Sequence, residues 1–429
     1  MTLNSAQNKF KEQGNKLVSY QIFLALSTIF IFFSEICFYL YDIKLGPPPV
    51  LYFYGFAVLA LPLYFSISSR IKYLPYSIVI WCCIYLSIAC LTVVLVGVDW
   101  YIESPMQPLR DRIRDVLFLL LMLVIFSKYS IVQLWTKRAI LLLTFFNVFI
   151  NFYQFFNPSA FPVKYEESSL YGLYGSERAV GFYGNANSTG FALILCIILS
   201  VDLIKPKYRF LFVLIGGLGI LPTFTRGAMI CWLLTVITLI ITKIIPRSQV
   251  PYIGLSLITI LLILGLQSNN LSSLRGSDGS LLLNQDMQDR IEWIVNPFSS
   301  KSKNIDNNSR EFLVQQSWQK FAEKPFLGNG LDSTKTQFSV GLAQDTHNIY
   351  LKLIVEHGFL GVFIYPLLIL ATIWKAQGET KKIGIVFAIN LLVWGLFNHN
   401  IIRDFSSLVA FGLMASMTRQ SQLNQKDSV

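Results

Sequence analysis

Three residues able to carry charge stand where helices are predicted to begin, two of them at the head of long apolar runs. Arg226 follows LPTFT and heads GAMICWLLTVITLII, Arg310 lies early in NNSREFLVQQSWQKFAEKPFLGNG, and His347 opens HNIYLKLIVEHGFLG. Each falls at the start of a predicted helix. A helix N-terminus carries partial positive charge and repels a cation there by roughly 0.3–1 kcal/mol. An arginine at such a place makes sense when an anion binds there too, held by free backbone N–H groups together with the guanidinium. Two such sites facing one compartment suit a doubly charged ligand such as a diphosphate. The same field disfavours an imidazolium, so His347 is expected below the reference pKa of about 6.5. A neutral imidazole near pH 7 accepts a proton and suits a general base. The chain has only three histidines. A lone arginine at a membrane interface is ordinarily a snorkelling anchor; the pair with His347 favours a site. Asp345 is placed to cap the helix or to orient the ring. Glu356 has two open readings, a buried packing or hydrogen-bonding role and a catalytic one, and Gly358 and Gly361 have the small-residue spacing of close helix contacts.

The elements that carry these residues are membrane spans. The 429 residues are 54% hydrophobic and only 14% charged, which is not a soluble balance. Apolar runs able to cross a hydrocarbon core of about 30 Å fall near 18–41, 49–68, 74–98, 113–127, 139–157, 186–204, 208–223, 226–245, 250–267, 349–374, 383–399 and 403–418. In lipid each run satisfies its own backbone, so all twelve are read as helices. The expected fold is an all-α polytopic membrane protein of about 12 transmembrane helices with one large outer loop containing an amphipathic helix. The first run is too long for a cleaved signal peptide.

Basic residues set the orientation. Arg70, Lys72, Lys128, Lys137, Arg138, Lys205, Lys207, Arg209, Lys243, Arg247, Lys375, Lys381 and Lys382 collect in alternate connections, with Lys9, Lys11, Lys16, Arg419 and Lys426 in the termini. The positive-inside rule places that face, and both ends, in the cytoplasm. Arg226, Arg310 and His347 then share the outer face. The net charge of +11 is largely this bias, and basic residues scattered over short loops argue against nucleic-acid binding. All six cysteines fall inside apolar runs, as small apolar side chains do. No HExxH, Cys/His cluster, GxSxG or phosphate loop appears, so no metal and no cofactor is expected.

Two outer segments exceed simple turns, near 158–185 and 268–348, and connections of that size are usually functional or disordered. In the second, Asn308 and Glu311 have capping-box spacing, Val314, Trp318 and Phe321 make one apolar face, and Pro325 with GNG closes the helix. That helix is expected to lie against the membrane surface or to roof a cavity. The chain divides into 1–180, an N-terminal bundle of about five spans; 181–267, spans carrying the Arg226 motif; 268–348, the loop domain; and 349–429, the C-terminal spans.

An arginine after TFT at a span head, the R-x7-W-x6-P-x2-G-x-G run from Arg310 to Gly330, HN-x-YL-x4-E-x-G-x2-G from His347 to Gly361, and GFYGNANSTGFAL at 181–193 together resemble the O-antigen ligase family. The resemblance covers roughly 180–415. It implies a GT-C-like, metal-independent, inverting membrane glycosyltransferase of the bacterial inner membrane, with its active site facing the periplasm. The implied donor is an oligosaccharide on a polyprenyl diphosphate such as undecaprenyl diphosphate. The acceptor hydroxyl would belong to lipid A-core, a lipid-linked glycan or a protein. By resemblance, Arg226 and Arg310 hold the diphosphate and His347 is the general base. Arg178 and Arg403 also face outward, as candidates for further diphosphate contacts. Asn185 and Asn187 either bind sugar hydroxyls or cap a helix, and His399 is read as a helix-end polar residue.

Within the resemblance, ligation onto lipid A-core is favoured over polymerisation of lipid-linked repeat units. The rival from another class is a solute transporter, for example of inorganic carbon. Such a protein keeps ionisable residues near the midplane, whereas here they gather at the outer rim, apart from Glu35, Glu356 and Asp202.

Overall fold

The computed structural model describes residues 3–65, 71–97, 106–157, 178–249, 251, 307–334, 336–337 and 343–426. The expected span at 250–267, the loop up to residue 306 and most of the 158–185 segment lie outside the described residues.

Described residues form helices almost throughout. They are α1 (Leu3–Thr28), α2 (Ile36–Asp42), α3 (Pro49–Leu59), α4 (Leu61–Phe65), α5 (Tyr76–Leu95), α6 (Gln107–Phe126), α7 (Ser130–Phe156), α8 (Ala186–Ser200), α9 (Arg209–Ile220) and α10 (Arg226–Ile241). After the long loop come α11 (Asn307–Glu323), α12 (Ile349–His357), α13 (Gly361–Ile373), α14 (Gly378–Trp394) and α15 (Phe405–Lys426). A two-residue antiparallel pair, Thr336–Gln337 with Ala343–Gln344, precedes α12. Among the described residues five stretches are, by length and composition alone, long and apolar enough to cross a membrane: Lys16–Phe33, Tyr76–Leu95, Ser130–Phe156, Ala186–Leu203 and Ile349–Ile373, the last of which doubles back on itself. Pro49–Phe65 and Arg226–Ile241 are shorter apolar helices. The chain is a multi-pass membrane protein.

Its packing fits a lipid solvent. Val94, Leu142 and Ile241 are at least 69% exposed, the apolar outer surface that water would penalise and acyl chains accept. α8 is buried along nearly its whole length, against α7, α9, α10, α14 and α15, so it is the central post. A helix apolar all round belongs there. Gly190 lets α8 approach α10, since a Cβ would come within 2.6 Å of Ala228 Cβ. Hydroxyls in the bundle donate to the carbonyl four residues back, as Thr136 does to Val132 and Thr144 to Ile140, which satisfies them without water. Between helices, Thr235 donates to Asn390 Oδ1 at 2.9 Å.

Three spans differ from their reading. The first breaks after a π-helical turn at Ile29–Phe33, where Glu35 adopts φ 56° and accepts a hydrogen bond from Ser406 at 2.9 Å. A buried carboxylate that needs this donor redirects the chain. The fourth begins at Gln107, several residues early, because Arg112 and Asp115 turn into the protein. The run 349–374 reverses at Gly358–Gly361. Tyr350 and Tyr365 have ring centroids 5.6 Å apart, whereas 15 residues of straight helix would separate them by about 22 Å. Gly358 has φ 64°, and a Cβ on Gly361 would lie 1.9 Å from the Leu353 carbonyl oxygen. These glycines therefore make the close helix contact expected of them, within a chain reversal between α12 and α13.

The segment after α11 is clasped onto that reversal by main chain. Asn329 N donates to Val355 O and Phe359 N to Pro325 O, both at 2.7 Å, and Gly330 N donates to Glu356 O at 3.3 Å. On α11 itself Leu313 and Ser317 are buried, while Val314 and Trp318 are 44% and 57% exposed. The Val314–Trp318 stripe thus faces away from the protein. The helix starts at Asn307, so Asn308 lies within its first turn rather than at its cap. Four of the six cysteines are buried, but Cys83 and Cys90 are exposed on α5.

Candidate functional site

His347 lies outside α12, one residue before its cap. Asn348 is that cap: its Oδ1 accepts from Tyr350 N at 2.9 Å and Leu351 N at 3.2 Å. The cap lies in a tight turn in which Thr346 Oγ1 donates to Asn348 O and accepts from Asn348 N. His347 has φ 53°, a left-handed conformation that costs a non-glycine residue about 1–3 kcal/mol and concentrates at functional sites. The ring is half-buried. Asp345 does not cap the helix. It receives Lys352 Nζ at 2.5 Å and lies 3.6 Å from His399 Nε2. Burial alone would raise the Asp345 pKa, but Lys352 and then His399 hold the carboxyl well below the usual carboxylate range.

The loop after α14 joins His347 to Arg226. Helix α14 ends at Trp394, leaving His399 outside it. Ile349 N donates to Gly395 O at 3.0 Å, and the His347 and His399 rings meet at 5.3 Å and 72°. Two residues before His399, the Phe397 ring covers Gly227, at 3.1 Å from where its Cβ would be. Arg226, the neighbour of Gly227, is the first residue of α10, half-buried, after Phe224 in a left-handed turn (φ 46°). Arg226 and His347 therefore flank one short loop, though 121 residues of sequence, 226 to 347, separate them.

The 179–190 segment joins the same end. Ala179 N donates to Pro222 O at 3.0 Å, and Gln154 Oε1 accepts from Val180 N and Gly181 N, each at 2.9 Å. This places Arg178, half-buried, one residue from the TFTR turn. Asn185 caps α8, accepting from Asn187 N at 2.8 Å. Arg310 lies in the first turn of α11, which packs on α12. Arg403 is paired with Asp111 at 2.8 Å and approaches Asp115 at 3.6 Å, so an incoming anion would compete with carboxylates there.

Beside the site lies an ion cluster that the sequence conceals. Arg112, 1% exposed, donates through Nη2 to Glu356 Oε2 at 3.0 Å and to Asp332 Oδ1 at 3.3 Å. Glu356 is fully buried and also accepts from Asp332 N at 3.2 Å. Its contacts join α6, α12 and the segment after α11. Hydropathy marks Arg112 only as a loop cation; the nearby Asp111, Asp115 and Arg114 gave the available hint of a charged inner face. Among the described residues no three His, Cys, Asp or Glu side chains are arranged to hold a metal.

Fold and site define a multi-pass membrane protein with an arginine-led helix start and a strained histidine around one loop. Residues 210–365, a little over a third of the chain, match the family model described as O-antigen ligase. The matched segment includes Arg226, Arg310 and His347. The match implies an enzyme of glycosyltransferase type. No curated protein matches the chain.

Proposed function

We propose that the protein transfers a saccharide from a polyprenyl-diphosphate donor to an acceptor hydroxyl on the outer face of the bacterial inner membrane, as an O-antigen ligase acting on lipid A-core. The observation that carries this reading is the meeting of the Arg226 helix start and His347 around the Gly395–His399 loop, inside or beside the family-matched segment. His347 takes the proton of the acceptor hydroxyl as its oxygen attacks the anomeric carbon. The bond to diphosphate breaks on the opposite side, its electron pair leaves with the phosphate oxygen, and the anomeric centre inverts. Arg226 and Arg310 stabilise the charge that builds there, more in the transition state than in the ground state. Arg178 is a further candidate diphosphate contact, and Asn187 a candidate sugar contact. Asn185 already serves as a helix cap. Neither a metal nor a cofactor takes part in this scheme.

The test is glycan transfer in membranes by the wild type, His347→Ala and Arg310→Ala, each checked for expression. Loss in both variants supports the roles given. Label on lipid A-core identifies a ligase, and label on lipid-linked repeat units a polymerase. Transfer by His347→Ala at the wild-type rate would sink the base assignment. No transfer by the wild type to any acceptor would return a solute transporter to first place.

A further inference from the structure

His399 was read from sequence as a polar residue ending a helix, yet the structure sets it inside a built arrangement. Its turn is fixed on both sides: Asn398 Oδ1 accepts from Asn400 N at 2.8 Å, and Asn398 Nδ2 donates to Asp404 at 3.2 Å. The His399 side chain is 15% exposed, with Nε2 at 3.6 Å from Asp345 Oδ2. Asp345 is itself immobilised by Lys352. With the Nε2 proton turned toward that carboxylate, Nδ1 is a bare lone pair, and it is buried with no hydrogen-bond partner among the described residues. A buried acceptor left unmade is uncommon and calls for a physical reason. The neighbour across the ring is His347, at 5.3 Å between centroids and nearly perpendicular.

We propose that His399 is the positioning residue of His347, held by Asp345 through one ring nitrogen and offering the other as acceptor to the imidazolium that His347 becomes. The inference rests on the proposed transferase reading for its catalytic meaning. The acceptor hydroxyl's proton goes to His347 and stays there, while the second N–H of the new imidazolium finds His399 Nδ1. His399 must be neutral for this. Burial pushes its pKa down, as do Lys352, His347 and Arg403, against the upward pull of Asp345. Among the described residues the charged and titratable groups that act on it are Asp345 and Lys352 from the α12 side, His347 from its turn, and Arg403 from its own loop. An Asp–His pair behind a base fixes tautomer and orientation in the way a third group orients the base of a nucleophile.

The chain has three histidines, His347, His357 and His399, so imidazole-selective labelling gives three signals, assigned with His347→Gln and His357→Gln. The experiment titrates the full chain in lipid nanodiscs and follows the transfer rate against pH in the same preparations. In His399→Phe the midpoint of His347 is expected to fall by about 0.5 pH unit or more, because the imidazolium loses its acceptor. The acid limb of the rate profile should move down with it, and the plateau should fall about tenfold. His399→Gln, whose amide oxygen can accept, should keep the His347 midpoint within about 0.2 unit of wild type. Asp345→Asn gives an independent reading in case the phenylalanine variant does not fold, and should shift His347 in the same direction. A His347 midpoint that is unmoved or raised in His399→Phe and Asp345→Asn overturns the assignment, as does a glutamine variant indistinguishable from phenylalanine. Should the wild type transfer no glycan, the proposed function falls, while the titration still decides whether the two imidazoles are coupled.

Discussion

Replacing Arg112 by alanine removes the only guanidinium bonded to Glu356 among the described residues. The two carboxylates it serves, Glu356 and Asp332, are 0% and 3% exposed, so neither regains water easily. Breaking a buried pair from one side costs about 3–5 kcal/mol, because the surviving charge stays buried. Lys352 offsets a little of this, since its Nζ is 4.0 Å from Glu356 Oε1. The expected loss for Arg112→Ala is therefore near the lower end, about 3 kcal/mol. Glu356→Gln should cost less, roughly 1–2 kcal/mol, since the amide still accepts from Asp332 N and Arg112 keeps Asp332. The double variant Arg112→Met/Glu356→Leu should cost clearly less than the sum of Arg112→Met and Glu356→Leu, with a coupling of about 2 kcal/mol or more. The assay is equilibrium unfolding in mixed micelles, followed by tryptophan fluorescence. A loss under about 1 kcal/mol for Arg112→Ala, or strict additivity in the double variant, would refute the reasoning, because either means that water or lipid headgroups solvate these groups.

His347→Gly should raise stability by about 1 kcal/mol by relieving the left-handed strain at φ 53° while lowering transfer about 10²–10⁴-fold; unfolding and transfer measured on one preparation check both. Arg226→Ala should lower transfer about 10²–10³-fold with little change in thermal unfolding, the pattern of a charge that matters at the transition state. For pH, the folded pKa of His399 is depressed, so the unfolded chain binds its proton first. Its contribution is complete above about pH 6.5 and is lost as pH falls toward the folded value, with a slope near 1.4 kcal/mol per unit. Unfolding curves between pH 7.5 and 4.5 should show that slope, about one proton's worth, disappear in His399→Gln. Gly361→Ala should destabilise by about 3 kcal/mol, since its Cβ meets the Leu353 carbonyl, whereas Gly55→Ala, with nothing within 4 Å, should cost nothing in the same thermal scan.

Sequence periodicity located the helices well because apolar runs in a membrane protein are continuous and long. It placed Arg226 at the first residue of its helix, since the TFT turn ends one run and the next begins at once. It misread α12 and α13 as one rod because hydropathy is blind to direction: a run that doubles back is as apolar as one that goes on. It set Asp345 at a cap or beside His347, but Asn348 is the better cap and Lys352, one turn along α12, claims the carboxylate. The Val314–Trp318–Phe321 face was legible as a pattern, but which flank meets α12 was not, since Leu313 and Ser317 carry no periodic signal. The Arg112–Glu356 pair joins positions 244 residues apart, and no local rule links such residues.

The clasp between Pro325–Gly330 and Val355–Phe359 is made of peptide groups meeting peptide groups. Its selectivity lies in empty volume: a Cβ on Gly328 or Gly358 would come within 2.4 Å of a main-chain oxygen on the other strand. Truncating side chains one by one leaves these peptide-to-peptide bonds in place, because none of them uses a side-chain atom. Substitutions that add matter at the two glycines test them directly. The coupling of the segment after α11 to the reversal between α12 and α13 is thus written into the chain as vacancies, and a mutational map of the protein needs enlargement as well as truncation to see it.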